Sequence, residues 1–418
     1  MCATKRKPFE ISKWLVMRAY RLVKANAGAA GVDKETIEQF EKDLENNLYK
    51  IWNRMSSGSY FPPPVRAVPI PKKGGGQRVL GVPTVADRVA QTVVRMVIEP
   101  TLEQIFLPDS YGYRPNKSAL DAIGETRKRC WRYDWVLEFD IRGLFDNIPH
   151  PLLLKAARKH VQENWALLYI ERWLKAPMEL EDGTRIERTK GTPQGGVVSP
   201  VMANLFLHAF DVWMKREYPA LPWCRYADDG LVHCRTLEEA EAVKAALQMR
   251  LAECGLEMHP AKTRIIYCKD GSRKGKYPNK RFDFLGYTFR PRDVKNSKRN
   301  CMFVNFTPAV SNAALRCMRQ KVRELNFRNR TQMELKDIAR QLNPILRGWI
   351  EYYGRYSPSA LYPLYRHVNM TLVAWAMRKY RRLKKRKTRA SVWLEGYAEK
   401  KCPRLFVHWS QGTIGAFA

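Results

Sequence analysis

Two adjacent carboxylates, Asp228 and Asp229, lie in Cys224-Arg-Tyr-Ala-Asp-Asp-Gly-Leu-Val-His-Cys234, a short polar break between two apolar or aromatic runs. The pattern predicts a β-hairpin whose turn carries the acids. Like charges held side by side repel, so such a pair calls for a compensating positive charge. Bound Mg²⁺ supplies it in phosphoryl transfer, where the ion takes carboxylate oxygens and substrate phosphates together. A lone Asp-Asp-Gly is more often a solvated turn, and Tyr-x-Asp-Asp arises by chance in roughly a few per cent of chains of this size. The neighbouring segments therefore decide.

A third acid has a suitable setting. Trp135-Val-Leu-Glu-Phe-Asp-Ile141 predicts an apolar strand ending in Asp140. If that strand neighbours the hairpin in one sheet, Asp140, Asp228 and Asp229 converge. Two Mg²⁺ ions could then lie between Asp140 and Asp228, with Asp229 slightly further back. That is a site for in-line attack of a 3′-hydroxyl on the α-phosphate of a nucleotide, one ion acidifying the hydroxyl and the other stabilising pyrophosphate.

The elements that must position these acids follow from periodicity and turn residues. Residues 9–54 predict two helices around a loop, the first with Ile11, Trp14, Leu15, Ala19 and Leu22 on one face and the second spanning about Lys34–Met55. The Gly/Ala-rich loop Asn26–Asp33 either admits close approach of a backbone or simply links the helices. After the rigid Phe61-Pro-Pro-Pro64, residues Arg66–Leu80 predict a glycine-tipped hairpin carrying Lys72, Lys73 and Arg78. Such a tip could fold over a triphosphate or be an ordinary solvated basic hairpin. A helix over about Val85–Phe106 leads to the aromatic loop Asp109-Ser-Tyr-Gly-Tyr-Arg-Pro115, itself followed by a helix. Further on come a helix over 151–175, a hairpin in Met178–Lys190, the loop Gly191-Thr-Pro-Gln-Gly-Gly196, and helices over Asn204–Glu217 and Leu237–Cys254. A strand pair is expected in Arg281–Arg290, with purely helical character from about Ser311. Arg378–Arg389 holds nine basic residues in twelve and no acid, a phosphate-contacting helix or arm unless it is a flexible tail.

Composition narrows the partner. The chain has 418 residues, enough for two or three domains, and an ordinary hydrophobic content of 45%. Its 74 Lys and Arg against 41 Asp and Glu leave a formal charge of +33. Self-repulsion of that size calls for a polyanion: nucleic acid first, with salt-sensitive binding, and an anionic membrane surface as the weaker rival. The nine cysteines include no Cys-x-x-Cys, which signals neither a zinc ribbon nor a redox pair and suits reduced thiols in a cytosolic protein. The N-terminus lacks the apolar run of a signal peptide. Gly191–Phe210 is free of Lys, Arg, Asp and Glu, but its Gly, Pro, Gln and Ser and the interrupting Asn204 and His208 argue against a membrane span.

Five motifs in order carry a resemblance: Phe139-Asp-Ile-Arg-Gly-Leu-Phe-Asp146, Gly191-Thr-Pro-Gln-Gly-Gly-Val-Val-Ser-Pro200, Tyr226-Ala-Asp-Asp229, His259-Pro-Ala-Lys-Thr263 and Phe284-Leu-Gly-Tyr287. With Leu342-Asn-Pro-Ile-Leu-Arg-Gly-Trp-Ile-Glu-Tyr-Tyr353, they resemble bacterial group II intron-encoded proteins, the reverse transcriptase/maturases, from about Asn26 to about Trp409. The resemblance implies an α+β right-hand polymerase. Fingers and palm would span 1–300, including an N-terminal extension to about 60. An α-helical thumb or maturase domain over 301–375 and a basic extension over 376–418 would follow.

It further implies roles residue by residue. Asp140, Asp228 and Asp229, with the main chain of Ile141, match the metal site for two Mg²⁺ ions. Lys262 matches the general acid for pyrophosphate, and Lys72 and Arg78 the clamp on the triphosphate. Phe145 matches the aromatic gate against a 2′-hydroxyl, a core phenylalanine being the alternative. Gln194 and Gly195 match the loop against nucleotide and template, and Leu285 and Gly286 the primer grip. Arg114 and the loop around Tyr111 are structural or template-facing. Arg378, Lys379, Arg381, Arg382, Lys384 and Lys385 would contact nucleic-acid backbone, while Trp349, Tyr352 and Tyr353 pack the thumb core or stack on bases. Many such proteins end in a Cys/His nuclease domain, but Cys402 and His408 have no ligand-spaced partners, so the likeness is to the endonuclease-lacking branch. That branch would take its primer from a nick or replication fork. The expected partners are intron RNA, target DNA or primer and dNTPs, in the bacterial cytoplasm or on the nucleoid, with activity in splicing and retrohoming. A splicing factor with vestigial polymerase is disfavoured by the intact acids. A reverse transcriptase domesticated for defence or CRISPR spacer acquisition is the remaining alternative.

Overall fold

Polar caps and breakers set the element ends in a computed structural model that describes residues 7–71, 76–296 and 300–414. In chain order the first elements are helices α1 (Lys13–Asn26), α2 (Ile37–Glu41) and α3 (Leu44–Ser56), strands β1 (Val65–Pro71) and β2 (Gln77–Val82), α4 (Val85–Ile105), α5 (Ala119–Cys130) and β3 (Trp135–Asp140). There follow α6 (Leu144–Asn147), α7 (His150–His160), α8 (Asn164–Lys175), β4 (Met178–Glu179), β5 (Arg185–Ile186), α9 (Ser199–Glu217), β6 (Trp223–Tyr226), β7 (Asp229–Cys234), α10 (Leu237–Glu253) and β8 (Arg264–Tyr267). The last are β9 (Phe282–Phe284), β10 (Tyr287–Asn296), β11 (Cys301–Val310), α11 (Asn312–Glu324), α12 (Leu335–Tyr353), α13 (Tyr362–Lys379) and α14 (Lys387–Lys400). The chain divides into two compact units, Met1–Ala122 with Leu137–Ile265 and Ile123–Val136 with Ile266–Ala418.

In the first unit, the side chain of Ser12 accepts from Trp14 N and starts α1. That phase buries Val16, Ala19, Tyr20 and Val23 and leaves Trp14 75% and Leu22 48% exposed. The expected apolar face was thus rotated, because two apolar stripes overlap on this helix. The second expected helix is two: α2 begins in a Thr36/Gln39 capping box, and Asp43 leaves helical geometry (φ −130°) before α3. Strands β2, β1, β4 and β5 form one sheet in that order, the glycine-tipped hairpin being antiparallel from Arg66 opposite Val82. A second sheet runs β6-β7-β3-β8, which seats the strand ending in Asp140 beside the Asp-Asp hairpin as expected.

The second unit contains the sheet β11-β10-β9 and helices α11 to α14. Its two-stranded ribbon is longer than the sequence suggested, pairing Tyr287 with Val310 through to Asn296 with Cys301. Pro291, Arg292, Asp293 and Lys295 mask it, since an outward ribbon needs no alternating apolar face. Beyond it the character is helical. One core runs from Val322 and Leu342 through Trp375 to Leu383, Leu394, Phe406 and Trp409, with no break at residue 375. The basic run is accordingly ordered, its Leu383 buried in that core. Among the described residues no helix is long and apolar enough to cross a membrane.

Candidate active site

Asp140 ends β3 and is only 7% exposed. Three backbone bonds fix the strand end. Ile141 N donates to Asp228 O at 3.1 Å, His259 N to Asp140 O at 2.8 Å, and Arg142 N to Glu257 O at 2.8 Å. The first ties the strand to the acid-bearing turn directly. Ile141 is fully buried and bridges Met258, so its main chain stands at the acids. In the hairpin Tyr226 pairs with Asp229, leaving Ala227 (φ +57°) and Asp228 in the turn. A Cβ on Gly230 would meet the Phe139 ring at 2.1 Å, so β7 and β3 approach closely only because that residue is glycine.

The electrostatics are those of crowded acids. Desolvation, and then the charge of Asp140, push the Asp228 carboxyl up against a restraining backbone hydrogen bond. Asp229 is exposed, yet desolvation by the protein around it and the charges of Asp228 and Asp140 push it up to about 7. The Lys262 ammonium lies 2.7 Å from Asp140 Oδ2. Partial burial pulls its pKa down, but the bond to Asp140 and the charges of all three aspartates outweigh that and hold it above the ordinary lysine range. Among the described residues no three His, Cys, Asp or Glu side chains close on one ion by themselves. Polymerase-type Mg²⁺ needs less, since it draws much of its shell from water and substrate phosphates. Crowded, partly desolvated carboxylates at Asp140 and Asp228 fit such ions.

The neighbouring motifs close around this point. Phe145 is half-buried on α6, and its ring meets that of Tyr113 edge-on at 6.2 Å. It is thus not fully buried. Phe145 O accepts from Thr192 N at 2.6 Å, and a Cβ on Gly191 (φ +78°) would strike that carbonyl at 2.7 Å. The Gln194 side chain donates to the Asp146 carboxylate at 3.0 Å, and its backbone carbonyl accepts from Gly81 N at 2.9 Å, which joins this loop to β2 and so to Arg78. Gly195 (φ +126°) lets the loop lie against Gly81 O. Arg78 is exposed, whereas Lys72, with Lys73, lies outside the described residues.

In the second unit Leu285 (φ +50°) and Gly286 (φ +81°) form the turn between β9 and β10. The Tyr352 hydroxyl donates to Leu285 O at 2.9 Å, and the Tyr353 hydroxyl lies 2.9 Å from where a Cβ on Gly286 would be. Both rings pack on Tyr287, so these aromatics are committed to holding the turn. Trp349 is half-buried against the helical core. Arg378, Arg381, Arg382, Lys384 and Lys385 are exposed. Lys379 instead turns inward, donating to Thr331 O, Met333 O and Glu334.

Three residues escaped the sequence reading. Arg225 is buried beneath the acid turn; its place in an alternating strand was a readable signal, as a buried arginine needs a partner. Gln91 accepts from Val197 N at 2.7 Å and donates to the buried Asp87 at 3.0 Å, bracing the Gly191–Gly196 loop from α4. Tyr113 joins the site from the aromatic loop, while its neighbour Arg114 is structural, bonded to Glu103, Leu107 O and Ser110 O.

The family described as reverse transcriptase (RNA-dependent DNA polymerase) matches residues 70–289, the stretch that contains the acids, the gate and the glycine loop. The chain belongs to the reverse transcriptases. A group II intron maturase-specific domain matches residues 315–393 of this reverse transcriptase, the helical part of its second unit. Protein YkfC of Escherichia coli K12 is 31% identical over 320 residues, covering 66% of this chain and 80% of that protein. The group II intron-encoded protein LtrA of Lactococcus lactis is 26% identical over 420 residues, 80% of this chain and 68% of that protein. A putative COX1/OXI3 intron 1 protein of Saccharomyces cerevisiae is 30% identical over 205 residues, 48% of this chain and 24% of that one. This reverse transcriptase is thus an RNA-directed DNA polymerase of the group II intron type with a maturase domain.

Proposed function

We propose that the protein extends a DNA 3′-hydroxyl on an RNA template with dNTPs while holding a structured intron RNA, in support of splicing and retrohoming in a bacterial cytoplasm. The observation that carries the reading is the backbone bond from Ile141 to Asp228, which makes one site of acids far apart in the chain. Asp140, Asp228 and the Ile141 carbonyl, with Asp229 behind, would hold two Mg²⁺ ions, whose chemistry is to acidify the 3′-hydroxyl and stabilise leaving pyrophosphate. The chain's own groups do the rest. Arg78 and Lys72 grip the triphosphate as cations, Arg78 with a fork suited to two oxygens. Phe145 fills the space a 2′-hydroxyl needs. Lys262 keeps a proton on Nζ beside the acids, ready for the departing pyrophosphate.

Residues 1–300 would serve as fingers and palm, 301–375 as thumb and maturase domain, and 376–418 as a basic extension. Leu285 and Gly286 would bear on the primer. The exposed cations from Arg378 to Lys385 would meet RNA phosphates, reading shape more than sequence. The test is extension of a DNA primer on an RNA template with dNTPs and Mg²⁺, beside an Asp228→Ala/Asp229→Ala variant. Extension by the wild type alone is expected. No extension by the wild type, with tight salt-sensitive RNA binding retained, would replace the reading with that of a splicing factor.

A further inference from the structure

The aromatic loop after α4 holds a side chain that no role yet accounts for. Tyr113 takes φ +57°, a left-handed conformation that costs a bulky residue roughly 1 kcal/mol or more, and its ring stays 50% exposed. A residue strained in order to pack a core would be buried. The strain is enforced from both sides. Gly112 O accepts from Asn204 Nδ2 at 2.7 Å, and a Cβ on Gly112 would lie 2.5 Å from Ala227 N in the acid turn. Tyr111 N donates to Arg225 O at 2.8 Å, and Arg114 is locked by Glu103, Leu107 O and Ser110 O. The backbone is thus rigid, and it delivers one ring to one place.

That place is defined by four neighbours. The ring stands edge-on to Phe145, with centroids 6.2 Å apart and planes at 82°. Desolvation raises the Tyr113 phenol pKa, Asp228 and Tyr226 raise it further, and Arg78 acts in the opposite direction, so the phenol feels both the acids and the triphosphate clamp. Phe145 itself sits on a helix of only four residues, Leu144–Asn147, and is half-buried, so its own element holds it weakly.

We propose that Tyr113 is a positioning residue for the nucleotide's sugar pocket, which backs the Phe145 ring and keeps it forward where it excludes a 2′-hydroxyl. The inference rests on the polymerase reading above. An edge-to-face pair contributes about 0.5–1.5 kcal/mol beyond its buried area, enough to bias the position of a lightly held ring. Without Tyr113 the Phe145 ring can back away, and the ribose of an rNTP fits.

The test is single-nucleotide extension by the full chain on an RNA template, comparing kcat/KM for each dNTP with that for the matching rNTP. Tyr113→Ala should lower discrimination against rNTPs by about tenfold, read as the ratio of kcat/KM for the dNTP to that for the matching rNTP, as a change of this size in a substrate pocket does. Tyr113→Phe should keep the discrimination, and Tyr113→Leu, which fills volume without a ring, should lose it. This pair decides the matter if Tyr113→Ala does not fold. In a Phe145→Ala background, Tyr113→Ala should add nothing. Equal loss of dNTP and rNTP use in Tyr113→Ala, or full additivity with Phe145→Ala, would overturn the inference and leave the polymerase reading intact. A wild type that extends nothing would overturn both.

Discussion

Arg225 grips Asp211 through two parallel bonds, Nε to Oδ1 at 2.8 Å and Nη2 to Oδ2 at 2.6 Å, with the side chains 1% and 0% exposed. The remaining donors reach Asn204 Oδ1, Ser110 Oγ and Ala227 O. One guanidinium beneath the acid turn thus ties it to α9 and to the aromatic loop. Removing one partner of a buried pair leaves an uncompensated charge, so Asp211→Ala should cost about 3–5 kcal/mol in denaturant unfolding. The double variant Arg225→Met/Asp211→Leu should recover most of that stability. It should not recover primer extension, because Ala227 O, Asn204 and Ser110 still lack their donor. Recovery of both would show that the arginine serves stability alone.

Gly195 gives a sharper separation of activity from folding. At φ +126° it has no room for a side chain, since a Cβ would sit 2.8 Å from Gly81 O. Gly183, at φ +84° in the β4–β5 turn, has nothing within 4 Å of its notional Cβ. Gly183→Ala should cost only the conformational strain, about 1 kcal/mol, and leave extension intact. Gly195→Ala must displace the loop from β2, so extension should fall at least about tenfold while RNA binding persists. Equal effects of the two substitutions in a steady-state extension assay would refute the proposed role of the loop.

What could be read from the sequence was what is local. The acid turn, the strand ending in Asp140 and the glycine loop are signalled by alternation and breakers within a dozen residues. The partners of Arg225 are not, because Ser110, Asn204 and Asp211 lie on elements whose packing no local pattern encodes. Tyr113 looked like an ordinary loop aromatic, since its left-handed backbone is imposed from outside by Asn204 and the Ala227 turn. The face of α1 and the length of the β10–β11 ribbon were misjudged for a related reason. Apolar spacing fixes a helix's phase only when one stripe is available, and a solvated ribbon has none. Lys379 shows the limit of charge counting, because a cation in a basic run can still be spent on carbonyls of its own fold.

The exposed cations of the basic run make a prediction in salt. Arg381 and Arg382 are exposed and follow α13 directly. If each meets one phosphate, Arg381→Ala/Arg382→Ala should weaken intron RNA binding and reduce the slope of log affinity against log salt by roughly 1–2. Lys379→Ala should instead act mainly on thermal stability, since its ammonium is bound to Thr331 O and Met333 O. A titration of RNA affinity across salt concentrations checks both, and an unchanged slope in the double variant would remove these arginines from the interface.

His408 predicts how the helical unit responds to acid. It is fully buried, and its Nε2 donates to Asn369 Oδ1 at 2.7 Å, an oxygen that also accepts from Trp409 Nε1 at 3.1 Å. Asn369 Nδ2 in turn donates to Thr413 O, and Thr413 Oγ1 donates to His408 O. The other ring nitrogen, Nδ1, has no partner among the described residues. Burial pushes the His408 pKa down to about 3, from an ordinary 6.5. The folded protein therefore keeps this ring neutral at pH values where the unfolded chain protonates it. Its contribution is intact above about pH 6.5 and is lost at about 1.4 kcal/mol per pH unit as the pH falls from there toward 3. His408→Gln keeps a neutral donor and removes the titration. Relative to that variant, the wild type should lose about 3 kcal/mol between roughly pH 7.5 and 4.5 in denaturant unfolding. A constant difference between the two proteins across that range would mean that the ring takes up its proton without leaving the core.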